Sequence, residues 1–147
     1  MEACKYKNEV DLIITRNDAK TLVTTAQNIA SEMIQRKRNG RIDEGSSVST
    51  SQIRNIFGTS KKIEMTLDEN NIEEMYGRLI LLKPKMAYAH GRFNKRDGGR
   101  DKIPGFKTLV DCLSYAIERV EGDFKRMKTF FNFFEAILAY HKAEGGK

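Results

Sequence analysis

The residues of this sequence that could support catalysis lie close together, around a glycine-containing stretch. His90 precedes this stretch, and Asp97 and Asp101 lie within it. An imidazole and two carboxylates could hold a metal ion or act as a general base, which is the chemistry of a nuclease. Basic residues surround both aspartates in the sequence, so ion pairing explains the carboxylates more simply. His141 is near the end of a predicted helix and is expected to be structural, interacting with the terminal carbonyl groups.

The common enzyme motifs are absent from the sequence. It contains no HExxH, GxxxxGK[ST] or GxSxG pattern, so neither a zinc protease, a nucleotide-binding loop nor a serine hydrolase is indicated. Cys4 and Cys112 are too few and too far apart for a zinc site or a disulfide framework, and we expect free thiols. The sequence therefore favours a non-catalytic protein with no metal and no other cofactor.

One predicted helix carries a basic stripe beside an apolar one. Lys85, Tyr88 and Arg92 are spaced at i, i+3 and i+7 and therefore share a face. A separate face, directed at the core, is formed by Leu82, Met86, Ala89 and Phe93. One side of this helix can be buried while the other meets phosphate groups.

A second predicted helix has a similar stripe. Arg54, Gly58 and Lys61 fall on one line, with Lys62 beside it. A glycine between two cations would let a sugar-phosphate backbone approach closely. The same pattern fits solvated faces and a helix that breaks at Gly58, so the residues alone leave both interpretations open.

The positive charge of the chain is concentrated in one segment. The formal net charge is +6, and residues 83–102 hold seven basic residues against Asp97 and Asp101. A local excess of this kind favours an anionic partner. The sequence shows no helix-turn-helix recognition element and no aromatic-rich sheet, so contacts to a nucleic acid would be made mostly to its backbone.

Two further features bear on location in the cell. No apolar run approaches the roughly 20 residues that a membrane-spanning helix needs. The first residues, MEACKYKNEV, carry charges where a signal peptide would be apolar. We therefore expect a cytoplasmic protein.

Apolar residues recur at three- and four-residue steps, which predicts an all-α fold. We expect a compact bundle of about five helices in one domain, residues 1–147, with loops at 39–50 and 93–103 and a segment 1–16 that could be flexible. The first long helix should begin after Asn17 as its N-cap and end at Asn39-Gly40. Ser49 and Gln52 have capping-box spacing, which places the next helix start.

The third and the last helices have special features. The third should run from about Asp68 and be kinked or split at Pro84, which lacks a backbone donor. The apolar positions of the last helix spread over about 200° of its circumference, so it should contact partners on two sides. It is either the central helix of the bundle or packs partly on another chain, through Phe130, Phe133, Ile137 and Tyr140.

Three segments together resemble one protein family. They are SQIRNI, LLKPKMAYAHGR and the ending FFNFFEAILAYHKAEGGK. In this order and spacing they are similar to the small subunit of type III-A CRISPR-Cas effector complexes, the Csm complexes. The likeness spans about Ser49 to Lys147, while the first half of the chain matches only as an amphipathic helix.

The resemblance implies a function and a set of partners. The family's small subunit is a non-catalytic helical bundle, present in several copies beside guide RNA and target RNA, which it contacts without sequence specificity. Carried onto this sequence, the RNA-contacting candidates are Arg54, Lys61, Lys62, Lys83, Lys85, Tyr88 and Arg92. Tyr140, His141 and Lys142 in the terminal motif are expected to be architectural, with a subunit or RNA surface as the alternative for Lys142. The alternative is a helical protein-protein interaction module whose basic faces are merely solvated, and a metal-dependent nuclease is the third hypothesis.

Overall fold

Helices build almost the whole structure. The computed structural model describes residues 4–93, 96–97 and 100–147. The α-helices of these residues are α1 (Lys7–Arg16), α2 (Ala19–Met33), α3 (Thr50–Thr66), α4 (Ile72–Ile80), α5 (Leu82–Phe93), α6 (Pro104–Val120) and α7 (Phe124–Ala143). A short 3-10 helix spans Glu44–Ser46, and β1 (Arg96–Asp97) pairs antiparallel with β2 (Arg100–Asp101). The all-α prediction is confirmed. There are more helices than the five expected, because residues 7–16 form α1 and the third predicted helix is two.

The turn between α1 and α2 uses two adjacent polar residues in different roles. Asn17 ends α1 in the left-handed region, with φ of 52°. Asp18 begins α2, since its carboxylate accepts a hydrogen bond from the backbone N–H of Thr21 at 3.1 Å. The expectation that Asn17 is the N-cap is therefore wrong by one residue. The expected stop at Asn39-Gly40 is also wrong, because α2 ends at Met33.

The start of α3 confirms the capping box. The Ser49 hydroxyl accepts from the Gln52 N–H at 3.3 Å, and the Gln52 side-chain oxygen accepts from the Ser49 N–H at 2.9 Å. This reciprocal pair satisfies backbone donors that the first turn leaves unpaired. The helix then continues through Gly58 to Thr66, so the alternative that Gly58 breaks it is wrong.

The third predicted helix is split. It begins later than Asp68, because Asp68 and Asn71 form a turn in which the Asp68 N–H donates to the Asn71 side chain at 2.8 Å. Leu81 separates α4 from α5, and Pro84 lies in the first turn of α5. A proline is tolerated there because no intrahelical partner is lost. Of the two predicted forms, a kink or a new helix, the structure has the new helix.

Helix α7 is the central helix of the bundle. It packs against α1, α2, α3 and α6. Phe130, Phe133 and Ile137 are all 0% exposed, within the hydrophobic core of this chain. Neighbouring helices of the same chain cover these three side chains, so their burial does not support the predicted contact with another chain. Tyr140 is half-buried, and its role between subunits stays a prediction.

The two cysteines are joined. Cys4 and Cys112 form a disulfide across 108 positions of sequence, with their Cα atoms 4.7 Å apart. The expectation of free thiols is wrong because α1 packs along α6, which brings Cys4, three residues before the first residue of α1, against the middle of α6. The bond therefore ties the start of the described chain to the core.

The terminal motif closes the other end of the bundle. The His141 ring is fully buried, and its Nε2 lies 2.8 Å from the carbonyl oxygen of Val48. Gly146 covers the ring so closely that an added Cβ would lie 2.2 Å from it. The carbonyl oxygen of Lys147 accepts from the Thr50 N–H at 2.7 Å. The expected architectural role of His141 agrees with these contacts.

Candidate nucleic-acid interface

Helices α3 and α5 form a groove with a volume of about 570 Å³. Its lining includes the buried side chains of Ile56 and Ala89, which form an apolar floor, together with Ser51 and Phe93. The predicted stripe of α5 meets the second helix here. Four residues of the predicted RNA-contacting set line this groove. They are Arg54 of α3 and Lys85, Tyr88 and Arg92 of α5.

These four side chains are available to a ligand. All four are exposed, and the Tyr88 side chain is 68% exposed although it is aromatic. Among the described residues, Arg54, Lys85 and Arg92 take part in no ion pair. The guanidinium carbon of Arg92 lies 5.3 Å from the ring centroid of Phe93, which supports the arginine from one side. The groove therefore presents three cations and one exposed ring over an apolar floor.

Lys61 lies outside this groove. Its ammonium pairs with Glu64 at 3.1 Å and with Glu135 of α7. Hydrogen bonds to Glu135 and Glu64 raise the pKa of Lys61, which keeps the ammonium protonated and bound to protein carboxylates. Lys62 is exposed on α3 but does not line the groove either. Helical spacing placed Arg54 and Lys61 on one stripe, but their surroundings differ because α7 packs near the second half of α3.

Lys83 lies on the opposite side of α5, in a second cavity of about 590 Å³ between α1, α5 and α6. Its ammonium is 3.7 Å from the Glu118 carboxylate. His90 lines the same cavity, with its ring centroid 6.0 Å from that of Phe106. This cavity has mixed charge, since Lys7 and Lys107 are accompanied by Asp111 and Glu118. It is therefore less suited to a polyanion than the groove between α3 and α5.

The nuclease hypothesis depended on His90, Asp97 and Asp101. The side chain of Asp97 lies outside the described residues. Within the part of the chain that is described, no group of three or more histidine, cysteine, aspartate or glutamate residues could hold a metal ion. No described helix is long and apolar enough to cross a membrane.

A basic element that was not predicted from the sequence lies between α2 and α3. Residues 36–42 form a small hairpin in which Arg36 and Ile42 pair antiparallel. Lys37, Arg38 and Arg41 project from it and are exposed. The signal was present in the sequence as Asn39-Gly40, because this dipeptide between two short flanks is typical of a hairpin turn as well as of a helix end. We call residues 36–42 the basic hairpin.

Comparison with protein families identifies the family of this chain. A family model described as Csm2 Type III-A matches residues 16–147, from the last residue of α1 to the end of the chain. No curated protein and no solved structure matches. The matched range includes α2 and the basic hairpin, and is therefore longer than the Ser49 to Lys147 segment in which sequence motifs were recognised.

Proposed function

Since the chain belongs to the Csm2 Type III-A family, the small subunits of type III-A CRISPR effector complexes, we propose that it holds RNA in such a complex through the groove between α3 and α5. In this proposal the groove contacts the backbone of target RNA, or of the guide-target duplex, without sequence specificity. Guide pairing supplies the specificity, as in other RNA-guided effectors.

The observation that carries the proposal is the convergence of Arg54, Lys85, Tyr88 and Arg92 on one groove from two helices. Guanidinium groups bind phosphate oxygens through two parallel hydrogen bonds, and a lysine adds a mobile point charge. An exposed tyrosine ring can stack on any base, because every base has an aromatic face. These groups recognise the charge of the phosphates and the aromatic faces of the bases, so the groove would bind RNA of any sequence.

Lys61 and Lys83 have a smaller part in this proposal. Both were predicted to contact RNA, but protein carboxylates already bind their ammonium groups. An RNA phosphate would have to displace Glu64 and Glu135 from Lys61, or Glu118 from Lys83. Lys62 is exposed and could contact RNA that extends beyond the groove.

The remaining parts of the proposal concern the assembly. We place the chain in the cytoplasm, in antiviral defence, as a non-catalytic subunit that packs against like copies and against the other Csm subunits. Of the predicted contact residues on α7, Tyr140 is the one whose side chain still has exposed surface. Native mass spectrometry of the assembled complex would give the number of copies, and a single copy would contradict the multi-copy arrangement.

The RNA-binding proposal is tested with an assembled complex that contains a triple variant, Arg54→Ala, Lys85→Ala and Arg92→Ala. Labelled target RNA is titrated at several salt concentrations. The affinity should fall, and the slope of log K against log salt should flatten by about 0.7 for each lost single-strand phosphate contact. The matched control removes three exposed cations from the opposite end of the bundle, Arg16→Ala, Lys20→Ala and Lys125→Ala.

Two results would contradict the proposal. If the groove variant and the control variant retain RNA equally, with the same salt slope, the groove does not hold RNA, and the interaction-module alternative is favoured. If the purified chain itself cleaves RNA in the presence of a divalent metal, and His90→Ala abolishes this activity, the non-catalytic assignment is wrong.

A further inference from the structure

The basic hairpin is held in one conformation by its backbone. The Lys37 N–H donates to the Arg41 carbonyl at 2.7 Å, and the Gly40 N–H donates to the Lys37 carbonyl at 2.9 Å. Gly40 has φ of +85°, a left-handed conformation that a glycine adopts without strain. The Asn39 side chain accepts from the Arg41 N–H at 2.9 Å. A tight turn with these contacts fixes the directions in which its side chains leave the backbone.

Arg36 anchors the hairpin to the rest of the fold. Its guanidinium donates to the Gly40 carbonyl at 3.0 Å and to the Glu144 carbonyl, just beyond α7, at 3.1 Å. At the base of the hairpin, the Asp43 N–H donates to the Gln35 carbonyl at 2.7 Å. Arg36 is therefore a structural residue, because its guanidinium is hydrogen-bonded to backbone carbonyl oxygens of the protein.

The other three cations of the basic hairpin differ from Arg36 in their surroundings. Lys37, Arg38 and Arg41 are exposed, and none of them forms an ion pair among the residues that the structure describes. The nearest acidic residues in sequence have other partners: Asp43 accepts from the Ser46 hydroxyl at 3.2 Å, and Glu44 pairs with Lys147 at 3.2 Å. Three positive charges thus lie on one hydrogen-bonded turn without an ion-pair partner among the described residues.

From this arrangement we infer that the basic hairpin is a second RNA-contacting site, which binds consecutive phosphates of the strand held by the groove. The tip of the hairpin has no apolar side chain, whereas the centre of a protein interface is apolar and depleted in lysine. A phosphate backbone is the partner that two guanidinium groups and one ammonium fit best. The inference rests on the proposed function, because it takes RNA as the polyanion.

The hairpin and the groove are both connected to the start of α3. Val48, which precedes the Ser49 cap, donates its N–H to the Met33 carbonyl at the end of α2, 2.8 Å away. Residues Ser51 and Arg54 of the next turns line the groove. The end of α2, from which the chain runs into the hairpin, therefore lies beside the start of α3, whose next turns line the groove.

The experiment uses the assembled effector complex with Lys37→Ser, Arg38→Ser and Arg41→Ser, which leaves Arg36, Asn39 and Gly40 in place. Fluorescein-labelled target RNA is titrated at several salt concentrations. Loss of three single-strand phosphate contacts should flatten the salt slope by about 2 and weaken binding on the order of 10- to 100-fold near physiological salt. Arg38→Ser alone should flatten the slope by about 0.7.

The control is the charge-matched variant Arg16→Ser, Lys20→Ser and Lys125→Ser. Helix α2 has 15 residues, so its two ends, with Lys20 at one and the hairpin after the other, are about 22 Å apart. This control should keep the wild-type affinity and slope. Thermal unfolding of each isolated variant checks that the fold is retained, and the single variant Arg38→Ser decides the question if the triple variant is unstable.

Each outcome is informative. If the hairpin variant binds like its control while the groove variant loses RNA, the hairpin inference is wrong and the proposed function stands. If neither variant loses RNA, both are wrong. If the hairpin variant is lost from the complex while the salt slope of the remaining assembly is unchanged, the hairpin contacts a protein subunit, and the inference is overturned.

Discussion

Tyr88 of α5 and Arg54 of α3 line the same groove, although they lie on different helices and their sequence motifs are far apart. The contact between α3 and α5 brings the two motifs together. In the proposed function, the Tyr88 ring would stack on a base while the guanidinium of Arg54 would bind a phosphate group. The proposal therefore assigns Tyr88 a role different from that of the surrounding cations.

Replacing Tyr88 tests whether the ring itself contacts RNA. Tyr88→Ala in the assembled complex should weaken target RNA binding by about 1–3 kcal/mol, the contribution of one base stacked on an aromatic side chain. The salt slope should stay unchanged, because no cation is removed. Tyr88→Phe should bind like the wild type. If Tyr88→Phe loses as much affinity as Tyr88→Ala, the hydroxyl rather than the ring makes the contact.

The part of the candidate groove that a single helix contributes could be predicted from the sequence. The spacing of Lys85, Tyr88 and Arg92 on α5 was sufficient to place them on one exposed face. The same reasoning failed for Lys61, since a stripe on α3 does not reveal that Glu135 of α7 will lie against part of it. Periodicity shows which residues share a face, and only the packing of helices shows what that face meets.

The fold was predictable where local signals act alone. The capping box at Ser49 and Gln52 uses only neighbouring residues, and it is where the sequence placed it. The Asn39-Gly40 signal was ambiguous between a helix end and a hairpin, and α2 ended six residues earlier than expected. The wide apolar face of α7 predicted packing partners on two sides, but not that these partners are α1, α2, α3 and α6 of the same chain, because that depends on how the helices pack.

A close crossing of α2 and α6 predicts a strong effect at Gly105. An added Cβ at this position would lie 2.1 Å from the Glu32 carbonyl oxygen and 2.6 Å from the Met33 Cα. Both are backbone atoms, so relief requires the helices to separate. Gly105→Ala should lower the free energy of unfolding by about 1–3 kcal/mol or more, because overpacking usually carries a penalty of this size. Urea denaturation measures the change.

Gly77 provides the matched control for this substitution. It lies within α4, is exposed, and an added Cβ would meet nothing within 4 Å. Gly77→Ala should raise the free energy of unfolding by about 0.4–1 kcal/mol, because alanine restricts the unfolded chain. Equal effects of the two substitutions would contradict the close approach of α6 to α2.

The surroundings of Glu32 predict that the free energy of unfolding depends on pH. Burial by itself raises the pKa of Glu32, but hydrogen bonds from Lys5, Tyr6 and Thr108 outweigh it, so the pKa lies below its ordinary value. A lowered pKa in the folded state means that the carboxylate stabilises the fold above the unfolded-state pKa. This contribution is lost as the pH falls through the lower, folded-state pKa.

Glu32→Gln should therefore reduce the free energy of unfolding at pH 7 by about 1–3 kcal/mol, as expected for hydrogen bonds to a charged group. The difference from the wild type should shrink as the pH is lowered below about 4, near the ordinary pKa of a glutamate. Urea denaturation across this range measures it. Glu69→Gln, at an exposed position between α3 and α4, should show no such pattern. A constant difference at every pH would contradict the role of the Glu32 charge.

The Cys4–Cys112 disulfide predicts a stability that depends on redox conditions. Both cysteines are buried, and the bond closes a loop across 108 sequence positions. In the chain-entropy model a disulfide that closes a loop of this length stabilises the fold by about 4–5 kcal/mol, because it restricts the unfolded chain.

Urea denaturation of the oxidised protein should therefore show a large fall in the free energy of unfolding when dithiothreitol is added. The double variant Cys4→Ala and Cys112→Ala should show no response to the reductant, and its stability should be close to that of the reduced wild type. Detection of two thiols in oxidised, unfolded wild-type protein by a thiol-reactive dye would show that the bond does not form.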